Sequence, residues 1–179
     1  MERSAAPKKT RVFFALVPDA ALQRSLGIAA REVAARLGGR AIVDANLHLT
    51  LAFIGNVEDA RIEVLRDVLS TLPRHAFVLA LDHLGTFRHS DLAWIGPSAV
   101  PPALTALQST LATALADADI SLETRPFHAH ITLVRRCTKR VTSARVTPIE
   151  WRVERLALLA SIAGGEGVSY PEVAGVALS

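Results

Sequence analysis

Residues Phe127–Arg135 read FHAHITLVR, and residues Asn46–Phe53 read NLHLTLAF. Both stretches carry a His-x-Thr-Leu pattern within a short apolar run that favours a β-strand. Side chains alternate between the two faces of a strand. His48 and Thr50 therefore share one face, and His130 and Thr132 share one face of the second stretch. Each strand is predicted to bury its aliphatic face and to present an imidazole beside a hydroxyl on the other.

The composition predicts one compact domain. The chain has 179 residues, half of them hydrophobic, and a net charge of +3 from 20 Lys and Arg against 17 Asp and Glu. This mildly basic balance fits an anionic partner but does not demand nucleic acid. A single cysteine, Cys137, excludes an internal disulfide framework. No apolar run approaches the ~18 residues of a membrane helix, and Met1–Lys9 lacks the apolar segment of a signal peptide. We therefore expect a cytoplasmic protein with no membrane segment.

Periodicity and turn residues predict an alternation of strands and helices. Residues 1–10 are predicted to be flexible and residues 11–179 to form a single domain. The segment Lys139–Pro148 is polar and basic and is predicted to be a loop. We predict helices over 19–37, 58–72 and 102–116, and strands over 11–17, 40–43, 47–54, 77–81, 91–95, 127–135, 151–161 and 169–178.

The order of these elements indicates an internal repeat. A strand, a helix and a His-Thr strand occur at 11–17, 19–37 and 48–50, and again at 91–95, 102–116 and 130–132. The spacings in the two copies are nearly equal, as in a duplicated half-domain. If the halves pack about a pseudo-twofold axis, the two His-Thr pairs face each other across a cleft.

Two histidines and two threonines in one cleft fit phosphodiester chemistry without a metal. Histidine can donate or accept a proton near neutral pH because its unperturbed pKa is ~6.5. One ring must be protonated while the other is neutral, so the pair titrates as a unit. The hydroxyl groups of Thr50 and Thr132 can donate hydrogen bonds to phosphate oxygens. A single His-x-Thr is uninformative, but two copies at matching places in a repeat predict a paired acid and base.

These residues also carry a family resemblance. The stretches NLHLTLAFIG (46–55) and RPFHAHITLVR (125–135) resemble the paired motifs of the two-histidine (2H) phosphoesterases. The nearest branch is the bacterial and archaeal RNA 2′,3′-cyclic phosphodiesterases, formerly called 2′-5′ RNA ligases. Ala129 departs from the family pattern, which often has proline there, but it faces away from the site. Similar segments elsewhere are RVFFALVP near the start, LGTF at 84–87, Trp94-Ile95-Gly96, LALLAS at 156–161, and Tyr170.

The resemblance implies a fold, an activity and a set of roles. The fold would be α+β and bilobal, with a pseudo-twofold axis, two antiparallel sheets lining a central cleft and helices packed outside. His48 would protonate the departing 3′ oxygen and His130 would activate water, leaving a 2′-phosphomonoester on RNA, with Thr50 and Thr132 binding the phosphate. A minor reverse 2′-5′ ligation is compatible with this site. We expect no cofactor or metal, RNA ends or small cyclic-phosphate nucleotides as partners, and a monomer.

Three alternatives stay open from the sequence. The substrate could be another small cyclic or 2′-5′-linked nucleotide. The chain could instead be a non-catalytic module that binds RNA ends. His128 shares the predicted strand face of His130, so His48, His128 and His130 could form a metal site. Without a metal, His128 is predicted to lie at the rim of the site.

Several further side chains are candidates for substrate binding. Arg135 or Arg136 could bind phosphate or RNA backbone. The family position favours Arg135, whereas strict alternation places Arg136 on the His130 face. Phe14 or Tyr170 could stack on a base at the rim of the cleft. The other aromatic residues are predicted to be core: Phe13, Phe53, Phe87, Phe127 and Trp94. The basic residues Lys139, Arg140 and Arg145 could steer RNA towards the site.

Overall fold

The structure, a computed structural model, describes residues 9–122, 125–165 and 167–179. The helices are α1 (Ala20–Leu37), α2 (Asp59–Thr71) and α3 (Pro102–Asp117), and a 3-10 turn spans Asp44–Asn46. Lys9 and Thr10 lie in the first strand, so the prediction of a flexible N-terminus is wrong for them, and its residues 1–8 lie outside the described residues. The strands are β1 (Lys9–Leu16), β2 (Arg40–Ala41), β3 (Leu49–Glu58), β4 (Phe77–Thr86), β5 (Ala93–Gly96), β6 (Ile131–Arg135), β7 (Ala144–Val153), β8 (Arg155–Gly164), β9 (Gly167–Ser169) and β10 (Glu172–Ala177).

The helices begin and end where the sequence predicts, within one or two residues. Asp19 caps α1, and its carboxylate accepts a hydrogen bond of 2.7 Å from the backbone NH of Leu22. The helix ends at Gly38, whose φ of 72° lies in the left-handed region that glycine tolerates best. Pro102 occupies the first turn of α3, where a missing NH has no cost.

All strand pairs are antiparallel, and the predicted α+β class is confirmed. The order β10-β8-β1-β3-β6-β5-β4-β7 forms two four-stranded halves that meet between β3 and β6. The two antiparallel sheets expected from the resemblance are joined here, because Leu49 and Ile131 pair at the centre and make one continuous sheet. That single residue pair is the whole β3–β6 register, so the two halves diverge on either side of it.

The region after the second motif also differs from the prediction. The predicted loop Lys139–Pro148 contains the start of β7, and a one-residue break at Glu154 divides the predicted strand 151–161 into β7 and β8. Strand β7 lies at the edge of the sheet and pairs with β4, with a register irregularity opposite Leu81 to His83. Proline is tolerated in edge strands and at such irregularities, which explains how Pro148 fits.

One face of the sheet is covered by the helices. Val12, Phe14 and Leu16 of β1 have no exposed surface and belong to the main core. The opposite face carries a smaller apolar cluster built on Phe13, Ala15, Ala157 and Leu159. The helix-covered face stabilises the fold, and the other face remains available for a site. In the part of the chain that the structure describes, none of the helices has the length and apolar character needed to cross a membrane.

Candidate active site

The four motif side chains meet at the junction of the two halves. Leu49 and Ile131, each directly after a motif histidine, are paired across β3 and β6. Both are fully buried on the helix-covered face. His48 and Thr50 flank this pair on one strand and His130 and Thr132 flank it on the other, so alternation turns all four side chains away from the buried face. Opposed residues of antiparallel strands share a face, so the four polar side chains lie together on the open face.

Backbone carbonyls fix both imidazole rings in the same way. Nδ1 of His48 lies 2.7 Å from the carbonyl oxygen of Asn46, and Nδ1 of His130 lies 2.7 Å from that of His128. A carbonyl oxygen can only accept, so each Nδ1 carries the hydrogen and donates it. Nε2 is therefore the nitrogen that gains or loses a proton in each ring. The two copies of the repeat therefore orient their rings in the same way, each through an acceptor two residues earlier.

Thr50 has a defined partner in the site. Its Oγ1 lies 3.1 Å from Nε2 of His48. When that ring is neutral, Nε2 has a lone pair and the hydroxyl donates to it. The hydroxyl can instead donate to a phosphate oxygen once Nε2 is protonated or engaged by substrate. Thr50 is thus placed to exchange partners when an anion enters.

Burial determines how His48 titrates. The pKa of His48 is lowered from 6.5 to about 4, chiefly because burial removes the ring from water. The hydrogen bond to the carbonyl of Asn46 opposes this shift, and the positive charges of His130 and Arg135 contribute to it. The two charges act on His48 through space, which places both of them near its ring. In the free protein, His48 is neutral at pH 7.

The histidine of the second motif, His130, also has a lowered pKa. Burial lowers the pKa of His130, the carbonyl of His128 raises it, and the charge of the His128 ring lowers it. Burial also lowers the pKa of His128. Both motif histidines are therefore neutral at pH 7 until a ligand changes their surroundings. An acid–base pair needs one protonated ring, and a phosphate anion supplies the charge that favours it.

Aromatic rings wall the His48 side of the cleft. The ring centroids of Phe13 and Tyr170 lie 4.9 Å and 5.1 Å from that of His48, and Tyr170 meets both rings edge-on. The structure thus brings the candidate Tyr170 to the site. It contradicts the placement of Phe14 at the rim, because Phe14 is fully buried in the core and Phe13 faces the site instead.

A second aromatic group surrounds His130. The ring of Phe87 lies 4.9 Å from that of His130, and the ring of Trp94 lies 4.6 Å from that of His128. The rings of His128 and His130 are 5.6 Å apart. Phe87 and Trp94 were predicted as core residues, but they also support the imidazoles. His128 lies on the exposed side of this group, as predicted for a residue at the rim.

A bulge in β6 determines which arginine faces the cleft. Trp94 of β5 lies opposite Thr132, but Ala93 lies opposite Val134, so Leu133 is an extra residue. Leu133 and Val134 are both fully buried. The bulge therefore reverses the alternation and turns Arg135 to the face of Thr132, consistent with its effect on the pKa of His48. Arg136, with a φ of 58°, lies where the strand ends.

Comparisons with known proteins identify the family of the chain. The family model of the 2'-5' RNA ligase superfamily matches residues 17–165. The chain belongs to this superfamily. The resemblance to the two-histidine phosphoesterases is thereby confirmed.

Two curated relatives carry the same name. The chain is 36% identical over 104 residues to the RNA 2′,3′-cyclic phosphodiesterase of Escherichia coli, covering 58% of this chain and 59% of the relative. It is 28% identical over 99 residues to the RNA 2′,3′-cyclic phosphodiesterase of Aeropyrum pernix, covering 54% and 56%. The alignments thus span somewhat more than half the length of each relative.

Solved structures match almost the whole chain. Apo LigT of E. coli has a TM-score of 0.84 at 28% identity, with 96% of this chain and 99% of LigT covered. LigT complexed with 3'-AMP has a TM-score of 0.82 at 28% identity and the same coverage. A protein of Thermus thermophilus has a TM-score of 0.79 at 23% identity, covering 94% and 97%, which shows the shared fold.

The alternative of a metal site formed by His48, His128 and His130 lacks a suitable cluster of ligands among the described residues. Within residues 9–122, 125–165 and 167–179, no three His, Cys, Asp or Glu side chains are grouped so that they could hold a metal ion. The rings of His128 and His130 are neighbours, and the rings of Phe87 and Trp94 also pack against His128. The arrangement supports proton transfer and anion binding by the side chains themselves.

Sequence reasoning missed the residue that holds His48. Asn46 accepts the Nδ1 hydrogen of His48 through its carbonyl, and its side-chain Nδ2 donates a 2.7 Å hydrogen bond to the carbonyl of Val168 in β9. This link ties the β8–β9 hairpin to the site. The sequence shows that Asn46 lies two residues before His48, but it does not show that the Asn46 side chain bonds to the carbonyl of Val168 in β9.

Proposed function

We propose that this protein hydrolyses the 2′,3′-cyclic phosphate at the end of an RNA to a 2′-phosphomonoester, without a metal. The observation that carries this proposal is the arrangement of His48, Thr50, His130 and Thr132 on one open face beside the Leu49–Ile131 pair. Each imidazole presents Nε2 for proton transfer, because each Nδ1 is bonded to a carbonyl. The names of the two relatives, both RNA 2′,3′-cyclic phosphodiesterases, support the choice of substrate.

The proposed reaction needs one proton taken and one proton given. Nε2 of His130 accepts a proton from water as the water oxygen bonds to phosphorus. The bond between phosphorus and O3′ breaks, and protonated Nε2 of His48 donates its proton to O3′. The phosphate stays on O2′, and the two rings finish with their protonation states exchanged. Proton exchange with solvent restores the starting pair.

The other side chains would hold the anion. Thr50 and Thr132 donate hydroxyl hydrogen bonds to the phosphate oxygens, and the guanidinium of Arg135 neutralises their charge. The cyclic phosphate offsets the repulsion from His130 and Arg135 that lowers the pKa of His48. Substrate binding therefore raises the pKa of His48 and allows it to act as the acid. Run in reverse, the site would join a cyclic end to a 5′-hydroxyl, as a minor activity because water is abundant.

The first test is product identification in the presence of a chelator. A 2′,3′-cyclic-ended oligonucleotide is incubated with the protein and EDTA, and the oxygen that retains the phosphate is determined. We expect a 2′-phosphate from the wild type and no product from His48→Ala or His130→Ala, with both variants folded. Near wild-type turnover by either variant would reject the assignment, and binding without turnover by the wild type would identify a binding module.

A second test separates the acid from the base. A cyclic substrate with sulfur in place of the bridging 3′ oxygen has a leaving group that departs without a proton. We expect this substrate to restore turnover to His48→Ala and not to His130→Ala, because water activation is still required. Rescue of His130→Ala alone would exchange the two roles.

A further inference from the structure

Two arginines face each other beside the site without a counter-ion. Arg40 of β2 is paired directly with Arg135 of β6. Such pairs bring like charges close together, which destabilises a sheet. Among the described residues neither guanidinium forms an ion pair with a carboxylate. A repulsive pair that the protein does not neutralise itself points to an anion from outside.

Arg40 extends the cationic surface away from the histidines. Opposed residues share a sheet face, and the bulge at Leu133 turns Arg135 to the cleft face, so Arg40 lies on that face as well. Strand β2 has two residues and Arg40 is exposed at its start. Strand β2 pairs with β6 on the same side as β3 but further along β6, so the charge of Arg40 lies next to Arg135, beyond the end of the β3–β6 junction.

The loop after β6 adds more positive charge at the same edge. The backbone NH groups of Thr138 and Lys139 donate to the carbonyl of Leu37 at 3.0 Å and 2.9 Å. A Cβ on Gly39 would lie 2.5 Å from the carbonyl oxygen of Arg135, so the two backbones pack in direct contact. These contacts hold the backbone of Lys139, whose side chain is exposed, at the end of α1, three residues before Arg40, where β2 begins.

Few opposing charges lie nearby. The carboxylate of Asp91 is near Cys137, since it contributes to a raised pKa of that thiol. Asp44, close to β2 in sequence, is already paired with Arg31 at 2.8 Å. The surface formed by Arg40, Arg136 and Lys139, which we name the cationic track, therefore remains positive overall.

We propose that the cationic track binds the phosphodiester backbone of the RNA strand that leads to the reacting end. The proposal rests on the proposed function, because it assumes a phosphate between His48 and His130. A free cyclic nucleotide would fill that site and leave the track empty. A single strand carries a phosphate at every nucleotide and can neutralise successive cations. The preferred substrate is then an RNA end and not a mononucleotide.

The test compares substrate lengths in a charge-removing variant. Arg40→Gln/Lys139→Gln is assayed with a cyclic-ended oligonucleotide and with a cyclic mononucleotide at several salt concentrations. We expect kcat/KM for the oligonucleotide to fall about tenfold at low salt, and its salt slope to become shallower by ~1.4, since each phosphate contact contributes ~0.7 in single strands. Turnover of the mononucleotide should stay within twofold. Arg24→Gln, an exposed arginine near the other end of α1, is the matched control and should change neither value.

Stability provides a second readout. Removal of one charge from the Arg40–Arg135 pair should leave the melting temperature of Arg40→Gln unchanged or raised. A lowered melting temperature with equal losses on both substrates would mean that Arg40 is structural, and would overturn the proposal. An oligonucleotide rate that the double variant leaves unchanged would overturn it as well.

Binding distinguishes this proposal from the proposed function. A 2′-phosphate-ended oligonucleotide and the corresponding mononucleotide are titrated into the wild type and the double variant. Even if the wild type turns over no cyclic substrate, the track is still supported when two results hold. The wild type must bind the oligonucleotide more tightly than the mononucleotide, and the double variant must lose this difference. Equal affinity for the two ligands in the wild type would overturn the track, even if hydrolysis is observed.

Discussion

Phe53 and Arg135 occupy equivalent positions in the two halves of the sheet. Each follows its motif histidine by five residues, and each comes directly after a bulge. In β3, Ala15 pairs with Thr50 and Phe14 with Ala52, so Leu51 is the extra residue, as Leu133 is in β6. The cleft therefore receives one aromatic and one cationic side chain from otherwise matching strands. Phe53 is 55% exposed, although it contacts the ring of Phe13 at 5.8 Å.

This asymmetry predicts different losses from two alanine variants. Arg135→Ala should lower kcat/KM about 10- to 100-fold on every cyclic phosphate, because a charged hydrogen bond contributes roughly 1.5–3 kcal/mol. Phe53→Ala should lower it for nucleotides only, since stacking on a base contributes ~1–3 kcal/mol. A ribose 2′,3′-cyclic phosphate without a base separates the two effects. Val78→Ala, at another exposed strand position, is the control. Equal losses of Phe53→Ala on both substrates would exclude a stacking role.

The motif strands show what a local sequence pattern can predict and what it cannot. Alternation correctly gave the shared face of His48 and Thr50, because period two is a property of a few adjacent residues. It could not choose between Phe13 and Phe14, because β1 is buried on both faces and its run RVFFALV has no polar alternation. The face of Arg135 depended on a bulge, which pairing with β5 creates and sequence periodicity does not show.

The lowered pKa values predict how activity depends on pH. In the free protein, the pKa of His48 is about 4 and that of His130 is below 6.5. The proton needed by the general acid is therefore lost from the free enzyme below pH 6.5, whichever ring carries it. The basic limb of kcat/KM should lie on the acid side of neutrality, and that of kcat should lie at higher pH because bound phosphate raises the pKa. Coincident basic limbs above pH 7 would contradict this.

Titration of His48 also makes the stability of the fold depend on pH. The pKa of His48 falls from its ordinary 6.5 to about 4 on folding, so the unfolded chain binds more protons between these values. Stability is then fully present above pH 6.5 and is lost as pH falls towards 4, by at most ~3 kcal/mol from this residue. Urea unfolding at a series of pH values should show a shallower dependence in His48→Gln. His75→Gln, exposed before β4, is the control, and equal slopes in His48→Gln and wild type would refute the prediction.

Gly27 packs against the side chain of Asp44 at the 3-10 turn that precedes the first motif. A Cβ there would lie 1.9 Å from Oδ1 of Asp44, which pairs with Arg31. The clashing atoms are the end of a side chain that can rotate, so Gly27→Ala should lose at most the exposed Arg31–Asp44 ion pair, which contributes less than ~1 kcal/mol. Alanine in a helix regains ~0.5–1 kcal/mol over glycine, so urea unfolding should show little net change for Gly27→Ala. In the Asp44→Ala background the same substitution should stabilise, and a loss above ~2 kcal/mol in Gly27→Ala alone would show that the Asp44 side chain cannot move aside.

Asn46 should control the orientation of His48 through its backbone carbonyl and its side-chain amide. Its carbonyl accepts from Nδ1 of His48, and its amide anchors that carbonyl to Val168 of the β8–β9 hairpin. Asn46→Ala removes one hydrogen bond, so kcat/KM should fall about tenfold for a loss near ~1.4 kcal/mol. Because the carbonyl bond raises the pKa of His48, loosening it should also move the basic limb of kcat/KM to lower pH. Val168→Ala keeps the backbone acceptor and should behave as wild type. An Asn46→Ala variant with an unchanged pH profile would show that the backbone of the 3-10 turn orients His48 without the hairpin.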